Sequence, residues 1–409
     1  MNEKSLNGKA LAWILTVIYF ASYVTRINFA AIIQEIVTDT GYEKAALSVI
    51  LVCVSVTYGL GQLINGRLGD LIKPQTLIFS GLILSTVINF VFPLVSFSIP
   101  LMAVLWAING FAQAMMWPPM VKILVALCDD KMYGWSVIRI SWGSSFGTIL
   151  VYLVAPLVIS FFGWRGVFVS SALVGLSATV MWGILKGRVR LPEKDCNVAV
   201  EGAAKFVFPK AAVFPMIFIV LGIIFQGMLR DGITSWMPTY LTEVFSFGNE
   251  ESILCTVSLA VFSIVCFSIA GNIYQKFFKN EVACAAIIFA IAAACSLILF
   301  LFFDIGGAIM AISMMAVITG CMHGINLMLI THVPKRFKKY GNISTVSGAV
   351  NACTYIGAAI STYAVALLSD GRGWRFTVAV WGVIALLGII SCVIAMKPWK
   401  VFVYGKDEK

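Results

Sequence analysis

Residues 10–32 read ALAWILTVIYFASYVTRINFAAI, and the length of this apolar run decides the fold class. A helix needs roughly 20 such residues to cross the hydrocarbon core of a bilayer, so we predict a membrane span. Arg26 lies inside it, where an arginine costs about 2.5 to 3.5 kcal/mol on insertion scales. Tyr19, Tyr23 and Arg26 fall at i, i+4 and i+7, which places them on one face of the helix. A charge kept at this cost predicts a function for that face.

The composition of the whole chain predicts an integral membrane protein. Hydrophobic residues make up 60% of the 409 positions and charged residues only 12%, with a mean hydropathy of +0.95. Water could not wet such a surface. The apolar stretches are longer than barrel strands, which span a bilayer in about ten residues, so we predict an all-α fold. Twelve transmembrane helices are predicted, at 10–32, 45–64, 75–95, 99–124, 134–159, 165–186, 212–241, 252–275, 282–303, 306–331, 342–369 and 374–397.

The net charge of +10 follows from membrane topology and does not predict a nucleic-acid partner. Most Lys and Arg fall on one side of the alternating topology, whereas Lys44, Arg165, Arg372 and Arg375 fall on the other. The positive-inside rule then predicts that both termini lie in the cytoplasm. We expect a multi-pass protein of the plasma membrane. The ten cysteines are scattered singly, so we predict neither a disulfide framework nor a metal site, and we predict no cofactor.

A polar interval divides the chain into two halves of six predicted helices. We predict an N-terminal half at 1–186, a cytoplasmic linker at 187–211 and a C-terminal half at 212–409. Internal repetition supports this division, because GWRGVF at 163–168 recurs as GWRF at 373–376. Repeated six-helix halves with a substrate site at the bilayer midplane are typical of secondary transporters.

The stretch GMLRDGITSWMPTYL, residues 227–241, gives the second half its own arginine within a span. Arg230 is followed by Asp231, and adjacent residues on a helix diverge by about 100°, so Asp231 need not neutralise Arg230. A purely structural ion pair between the two remains an alternative. His323 lies deep in a later span, where it is either a polar packing residue or part of a binding cavity.

Several segments together resemble one transporter family over the whole chain. They are YFASYVTRINF (19–29), TYG (57–59), QAMMWPP (113–119), LRDGITSWMPTYLTEV (229–244) and TYIGAA (354–359). In this order they resemble the organophosphate:inorganic phosphate antiporters of the major facilitator superfamily, which include bacterial glycerol-3-phosphate and hexose-phosphate transporters. The resemblance implies two pseudo-symmetric six-helix bundles and a monomer.

The resemblance also implies which residues bind substrate. Family members hold phosphate with one arginine on helix 1 and one on helix 7, which match Arg26 and Arg230, and tyrosines line the same cavity. In the glycerol-3-phosphate transporters, two lysines, a histidine and a further tyrosine accompany them. Here Ile27 and Gln62 replace the lysines, Ser144 replaces the histidine and His323 replaces a tyrosine. The organic part of the substrate therefore stays open. The predicted substrate-binding residues are Tyr19, Tyr23, Arg26, Tyr58, Gln62, Ser144, Arg230, Asp231, His323 and Tyr355.

Residues 61–75, GQLINGRLGDLIKPQ, are predicted to form a Gly-rich turn after the second span. The turn resembles the loop in which major facilitator proteins use opposite charges to latch the inward gate. Arg67, Asp70 and Lys73 are the candidate charges here. A plain basic cytoplasmic turn is the alternative.

We predict a secondary active transporter that exchanges an organophosphate for inorganic phosphate by alternating access. Two guanidinium groups would roughly balance a phosphate dianion, and an empty site would hold two uncompensated cations, which favours exchange over unloaded return. Two alternatives stay open. One is proton-coupled symport of another organic anion through Asp231 or His323, and the other is a transporter-like membrane sensor of phosphorylated sugars. No enzyme is predicted, since the chain shows no paired carboxylates, metal-ligand cluster or activated nucleophile.

Overall fold

The computed structural model describes residues 7–192 and 208–405, and all regular secondary structure in these two ranges is helical. Most of the predicted linker at 187–211 lies outside the described residues. The long helices are α1 (Gly8–Ala31), α2 (Ile33–Thr40), α3 (Lys44–Leu71), α4 (Pro74–Val91), α5 (Ile99–Gln113), α6 (Trp117–Leu127), α7 (Asp130–Leu185), α8 (Lys210–Phe245), α9 (Asn249–Phe277), α10 (Glu281–Leu301), α11 (Gly307–Ile325) and α12 (Ile343–Tyr404). Shorter helical turns cover Phe92–Val95, Lys186–Arg188, Asn326–His332, Val333–Lys335 and Lys338–Tyr340.

Ten helices in the described residues are long and apolar enough to cross a membrane, which confirms the predicted all-helical membrane fold. Two of them, Asp130–Arg188 and Ile343–Tyr404, run for 59 and 62 residues, far beyond the roughly 20 that a bilayer needs. Each is interrupted by a glycine, Gly163 with φ 64° and ψ −179° and Gly373 with φ 78° and ψ 170°. Only glycine adopts this backbone region readily. The count of twelve spans stays a prediction.

The contacts of the chain divide it into two compact units. The first contains the described part of residues 1–206 together with Phe337–Ala352, and the second contains the described part of 207–336 together with residues from Cys353 onward. The boundary at 352 and 353 falls inside α12, so the first ten residues of this helix pack with the first unit. The predicted halves were drawn from sequence repeats and remain a prediction.

Within each unit, the helix that carries the arginine packs closely against one partner helix. A Cβ atom on Gly143 or Gly147 of α7 would lie 2.5 Å from Thr16 O or 2.8 Å from Phe20 O of α1. In the second unit, a Cβ on Gly357 of α12 would lie 2.1 Å from Ile224 O of α8. A real Cβ atom could not lie this close to a carbonyl oxygen, so glycine is needed at these positions for the two helix backbones to approach each other. They fix the position of α1 and α8 in their units.

The repeated Gly-Trp-Arg sequence makes similar contacts in both units. Trp164 Nε1 and Arg165 Nη1 donate hydrogen bonds to Asp39 Oδ2, at 2.7 and 2.9 Å. These two donors, Trp164 first and Arg165 second, hold the pKa of the Asp39 carboxyl below its ordinary value. In the second unit, Trp374 Nε1 donates to Glu243 Oε2 at 2.7 Å. In both repeats, the tryptophan that follows the helix-breaking glycine therefore donates a hydrogen bond to a carboxylate.

Candidate functional site

In the first unit, aromatic side chains surround Arg26 on the predicted face of α1. The Arg26 Cζ atom lies 4.2 Å from the centroid of the Tyr23 ring and 4.9 Å from the centroid of the Tyr58 ring on α3. Tyr19 continues the cluster, with its ring centroid 5.1 Å from that of Tyr23 and 5.3 Å from that of Trp117. We call these five residues the Arg26 cage. A cation over an aromatic face gains about 0.5 to 2 kcal/mol, which offsets part of the cost of a charge inside a span.

Trp117 belongs to the cage but was not among the predicted site residues. It begins α6, after α5 ends at Gln113. Pro118 and Pro119 lie in the first turn of α6, where their missing N–H groups cost no helical hydrogen bond. The Pro-Pro pair was a visible sequence signal for this break. Its consequence, a tryptophan brought against Tyr19, was not.

A second face of α1 carries a buried polar network that the sequence reasoning missed. Its members are all at most 3% exposed: Ser22, Thr25, Asn28, Ser85, Asn89, Asn109 and Gln113. Gln113 accepts a hydrogen bond from Ser22 Oγ at 2.5 Å and donates to Thr25 Oγ1 at 3.0 Å and Ser85 Oγ at 2.8 Å. Asn28 Nδ2 donates to Asn89 Oδ1 at 2.7 Å.

This network holds α1 in one rotation. Asn89 Nδ2 and Asn109 Nδ2 both donate to the backbone carbonyl of Thr25, each at 3.0 Å. Side chains of α4 and α5 therefore hydrogen-bond directly to the backbone of α1. A buried network that satisfies its polar groups specifies a single packing, because any rotation would leave them without partners. Since Thr25 precedes Arg26, the network fixes the direction in which the Arg26 cage faces. The spacing of Ser22, Thr25 and Asn28 along one face of the helix was the signal available in the sequence.

Two predicted residues of the first unit lie in different surroundings. Gln62 is 0% exposed, and both of its side-chain polar atoms lack a hydrogen-bond partner among the described residues. Ser144 is 9% exposed, and its hydroxyl donates to Ser141 O of its own helix at 2.7 Å. Neither side chain is presented to solvent as an open ligand. Their part in substrate binding remains a prediction.

In the second unit, Arg230 forms an ion pair with the residue that follows it. Arg230 Nε and Nη2 donate to Asp231 Oδ1 and Oδ2 at 2.8 and 2.7 Å, a two-pronged arrangement that suits a guanidinium and a carboxylate. The two side chains are 15% and 28% exposed. The helix directs their Cβ atoms apart, but the long arginine side chain bends to reach the acid. The alternative of an ion pair, left open by the sequence, is the arrangement observed.

The other predicted residues of the second unit are placed on neighbouring helices. His323 lies near the end of α11, half-buried, with its ring centroid 5.1 Å from that of Phe267. Tyr355 is half-buried on α12. A Cβ atom on Gly227 of α8 would lie 2.2 Å from the carbonyl oxygen of Thr354, the residue before Tyr355. The α12 segment that carries Tyr355 therefore packs closely against α8, the helix that carries Arg230. A π-helical stretch, Asn326–His332, follows His323 and had no signal in the sequence.

The segment predicted as a Gly-rich turn, 61–75, is mostly helix. α3 continues to Leu71, so only Ile72 and Lys73 separate it from α4, and the prediction of an extended turn was wrong. The glycines do not form a turn but allow α3 to pack closely against a neighbouring helix. A Cβ on Gly66 would lie 2.9 Å from Ser344 O, and one on Gly69 would lie 2.1 Å from Ser344 Oγ, both at the start of α12.

Asp70 caps the first turn of α12 within the first unit. Its carboxylate accepts hydrogen bonds from the backbone N–H groups of Ser344 and Thr345, at 3.1 and 2.7 Å, and from Thr345 Oγ1 at 2.7 Å. Lys122 Nζ lies 3.8 Å from Asp70 Oδ1 and donates to Gly69 O at 3.0 Å. An acid at a helix N-terminus satisfies N–H groups that have no partner in the helix and matches the helix dipole. Of the three candidate latch charges, Asp70 makes this contact.

The apolar helices, the internal repeat and an arginine on a membrane helix of each unit define a multi-pass membrane transporter. The Major Facilitator Superfamily profile matches residues 15–362, and the chain belongs to this family. The glycerol-3-phosphate transporter of Bacillus subtilis is 26% identical, over 92% of this chain and 88% of that protein. A probable hexose phosphate transport protein of Chlamydia trachomatis is 24% identical, over 93% of this chain and 88% of that protein.

Among solved structures, the fucose:proton symporter FucP of E. coli superposes with a TM-score of 0.75. The sequences are 13% identical, and the superposition covers 94% of this chain and 98% of that one, so the similarity shows a shared fold. The profile match and the two relatives confirm the predicted family resemblance. The protein is a transporter and not an enzyme, and it is related to transporters of organophosphates and sugar phosphates.

Proposed function

We propose that this transporter exchanges a small organophosphate for inorganic phosphate by alternating access, with Arg26 and Arg230 binding the phosphoryl group. The observation that carries the proposal is the Arg26 cage, in which aromatic faces hold a guanidinium inside a membrane helix. The names of the two relatives, both similar over most of their length, support a phosphorylated substrate.

The geometry of the cage suits anion binding. Tyr23 and Tyr58 contact the guanidinium through their ring faces, and this contact does not consume the N–H donors that lie in the guanidinium plane. A planar fork of such donors matches the oxygens of a phosphoryl group in a bidentate arrangement. Because the rings and the buried network behind α1 already hold Arg26, little side-chain entropy remains to be lost when substrate binds.

The Arg230–Asp231 ion pair favours a second candidate function, proton-coupled symport of another organic anion. The carboxylate of Asp231 accepts from Nε and Nη2, which carry some of the five N–H donors with which Arg230 could bind an anionic substrate. A proton on Asp231 would weaken this pair and release the guanidinium, so proton uptake and anion binding would be linked at one residue. The exchange hypothesis instead requires the phosphoryl group to compete with an ionised Asp231.

Counterflow in proteoliposomes separates the two functions. Purified protein is reconstituted in vesicles loaded with inorganic phosphate or with chloride, and uptake of labelled glycerol-3-phosphate and glucose-6-phosphate is measured with and without an inward proton gradient. Exchange predicts uptake that depends on internal phosphate and persists without the gradient. Symport predicts uptake that depends on the gradient and ignores internal phosphate. If no phosphorylated compound enters under any condition, the proposed substrate class is wrong.

A further inference from the structure

A cavity of about 380 Å³ lies in the second unit, where α9 ends, α10 begins and α12 ends. Phe277 and Phe278 form its apolar wall together with Ala283 and Met396, whereas Lys279, Lys397 and Lys400 bring three ammonium groups to it. Phe277 is 76% exposed at the end of a membrane-spanning helix. The cavity therefore has an apolar wall and a cluster of positively charged side chains at one membrane face.

Hydrogen bonds on either side of the cavity hold its walls in place. Asn280 Nδ2 donates to Met396 O at 3.1 Å, which joins the α9–α10 turn to α12. Tyr404 Oη, at the end of α12, donates to Lys279 O at 2.5 Å and accepts from Arg336 Nη2 at 3.0 Å. The cavity is consequently a feature of the folded unit and does not have to be opened by a ligand.

An ion pair between Arg336 and the buried Glu281 lies beside the cavity. Arg336 Nε donates to Glu281 Oε1 at 3.0 Å, and Glu281 is 0% exposed. Burial works to lower the pKa of Arg336, but the hydrogen bond and charge of Glu281 outweigh it and raise that pKa above its ordinary value. Glu281 is thus paired with Arg336 within the second unit.

Apolar side chains extend from the cavity along two helices toward the membrane interior. Ile273, 40% exposed, lies one helical turn before Phe277 on α9. Val393, 51% exposed, lies one turn before Lys397 on α12. Residues four apart share a helix face, so each cavity residue continues into a lipid-facing apolar surface. A ligand bound here meets positive charge at one end and an apolar track at the other.

We propose that this cavity binds the headgroup of an anionic phospholipid. Lys279, Lys397 and Lys400 contact the phosphate and the headgroup charge, and the acyl chains lie along the exposed faces of α9 and α12. Clusters of Lys next to membrane spans attract anionic lipids, whereas a free phosphate ion gains nothing from the Phe277 and Met396 wall. The inference concerns the lipid partner of the protein and does not rest on the substrate proposed above.

Native mass spectrometry of the full-length protein tests the charge requirement. The protein is equilibrated with phosphatidylglycerol or with phosphatidylcholine of the same acyl chains, and the variant K279Q/K397Q/K400Q is compared with K73Q/K131Q/K210Q, which changes three exposed lysines away from the cavity. We expect about fivefold weaker phosphatidylglycerol binding for each cavity lysine removed. The control variant should bind as the wild type does. Equal affinity for the two lipids, or equal loss in both variants, overturns the proposal.

A second variant tests whether the lipid occupies the cavity itself. Ala283→Leu fills part of the space and leaves all three lysines in place. We expect it to weaken phosphatidylglycerol binding severalfold with no change in the transport rate of proteoliposomes made of neutral lipid, which reports correct folding. Wild-type binding by a well-folded Ala283→Leu protein would show that the charges act diffusely, and the assignment of the cavity would fail.

Discussion

Arg26 and Arg230 lie on equivalent helices of the two units, α1 and α8, yet their surroundings differ. Arg26 rests against the rings of Tyr23 and Tyr58, which soften the cost of its charge without cancelling it. Arg230 is held by Asp231 through two hydrogen bonds, and the pair is formally neutral. Each unit thus carries an arginine on a membrane helix, and the two arginines differ in what surrounds them.

The supporting structure differs between the units in the same way. Gln113 makes three side-chain hydrogen bonds behind Arg26. In the second unit, the buried Gln226 donates to Met322 O at 3.1 Å, and its Oε1 lacks a partner among the described residues. The first unit is therefore organised by a satisfied polar network and the second by an ion pair. The predictions that follow test this contrast, beginning with the largest expected effect.

Arg26→Ala should reduce phosphate exchange by on the order of 100-fold or more, because it removes one of the two guanidinium groups that we propose to bind the phosphoryl group. Arg26→Lys keeps the charge but loses the planar fork, so it should retain part of the activity. Initial exchange rates in proteoliposomes, normalised to protein content, measure both. Wild-type exchange by Arg26→Ala would refute its role as an anion ligand.

Gln113→Leu should lower the free energy of unfolding by about 2 to 3 kcal/mol, since it leaves the buried hydroxyl of Ser22 without its partner and removes the hydrogen bonds that Gln113 donates to Thr25 and Ser85. Thermal unfolding in detergent measures the loss. Gln226→Leu is the matched control in the second unit, and we expect a loss of about 1 kcal/mol or less, because one side-chain hydrogen bond is removed there. Equal losses would mean that the two units are not organised differently.

Asp231→Asn should make the second unit resemble the first by removing the acid that neutralises Arg230. If the protein is an exchanger, we expect the phosphate concentration for half-maximal exchange to fall about tenfold, since a charge-assisted competitor is lost. If it is a symporter, the same change should abolish accumulation driven by a proton gradient. Concentration and gradient dependence, measured side by side, decide between the two. A variant that behaves as the wild type in both assays would leave Asp231 without a functional role.

The smallest effects concern the two Gly-Trp-Arg contacts. Asp39→Asn weakens hydrogen bonds from both Trp164 and Arg165, whereas Glu243→Gln weakens one from Trp374, so Asp39→Asn should lower the melting temperature more. Because folding lowers the pKa of Asp39, its contribution is complete above the ordinary value of 3.8, declines as pH falls below that value and is lost as pH passes through the lowered pKa of the folded state. The difference between the melting temperatures of wild type and Asp39→Asn should therefore be smaller at pH 3 than at pH 7. A difference that is as large at pH 3 as at pH 7 would contradict the assignment.

Regular spacing was enough to predict the part of the site that lies along one helix. The i, i+4, i+7 pattern placed Tyr19, Tyr23 and Arg26 on a common face, as the structure shows. Contacts between helices were harder. The hydrogen bond of Ser22 with Gln113 joins residues 91 positions apart, and no periodicity in α1 reveals the partner.

Glycine and arginine were the residues whose roles the sequence could not decide. Gly66 and Gly69 suggested a turn, but they allow α3 to pack against the start of α12, and the two uses look alike in a single sequence. Arg230 and Asp231 point away from each other at their Cβ atoms, and only the bend of a long side chain brings them together. Gly163 and Gly373, by contrast, were marked by the Gly-Trp-Arg repeat and break their helices at the predicted places.

The central claim, that Arg26 and Arg230 both bind a phosphoryl group, is tested most directly by the binding of labelled inorganic phosphate to purified protein. Scintillation proximity with wild type, Arg26→Ala, Arg230→Ala and the double variant requires no transport. We predict saturable phosphate binding by the wild type, a greater loss with Arg26→Ala than with Arg230→Ala, and none in the double variant. Absence of phosphate binding by the wild type, or undiminished binding by the double variant, would contradict the claim.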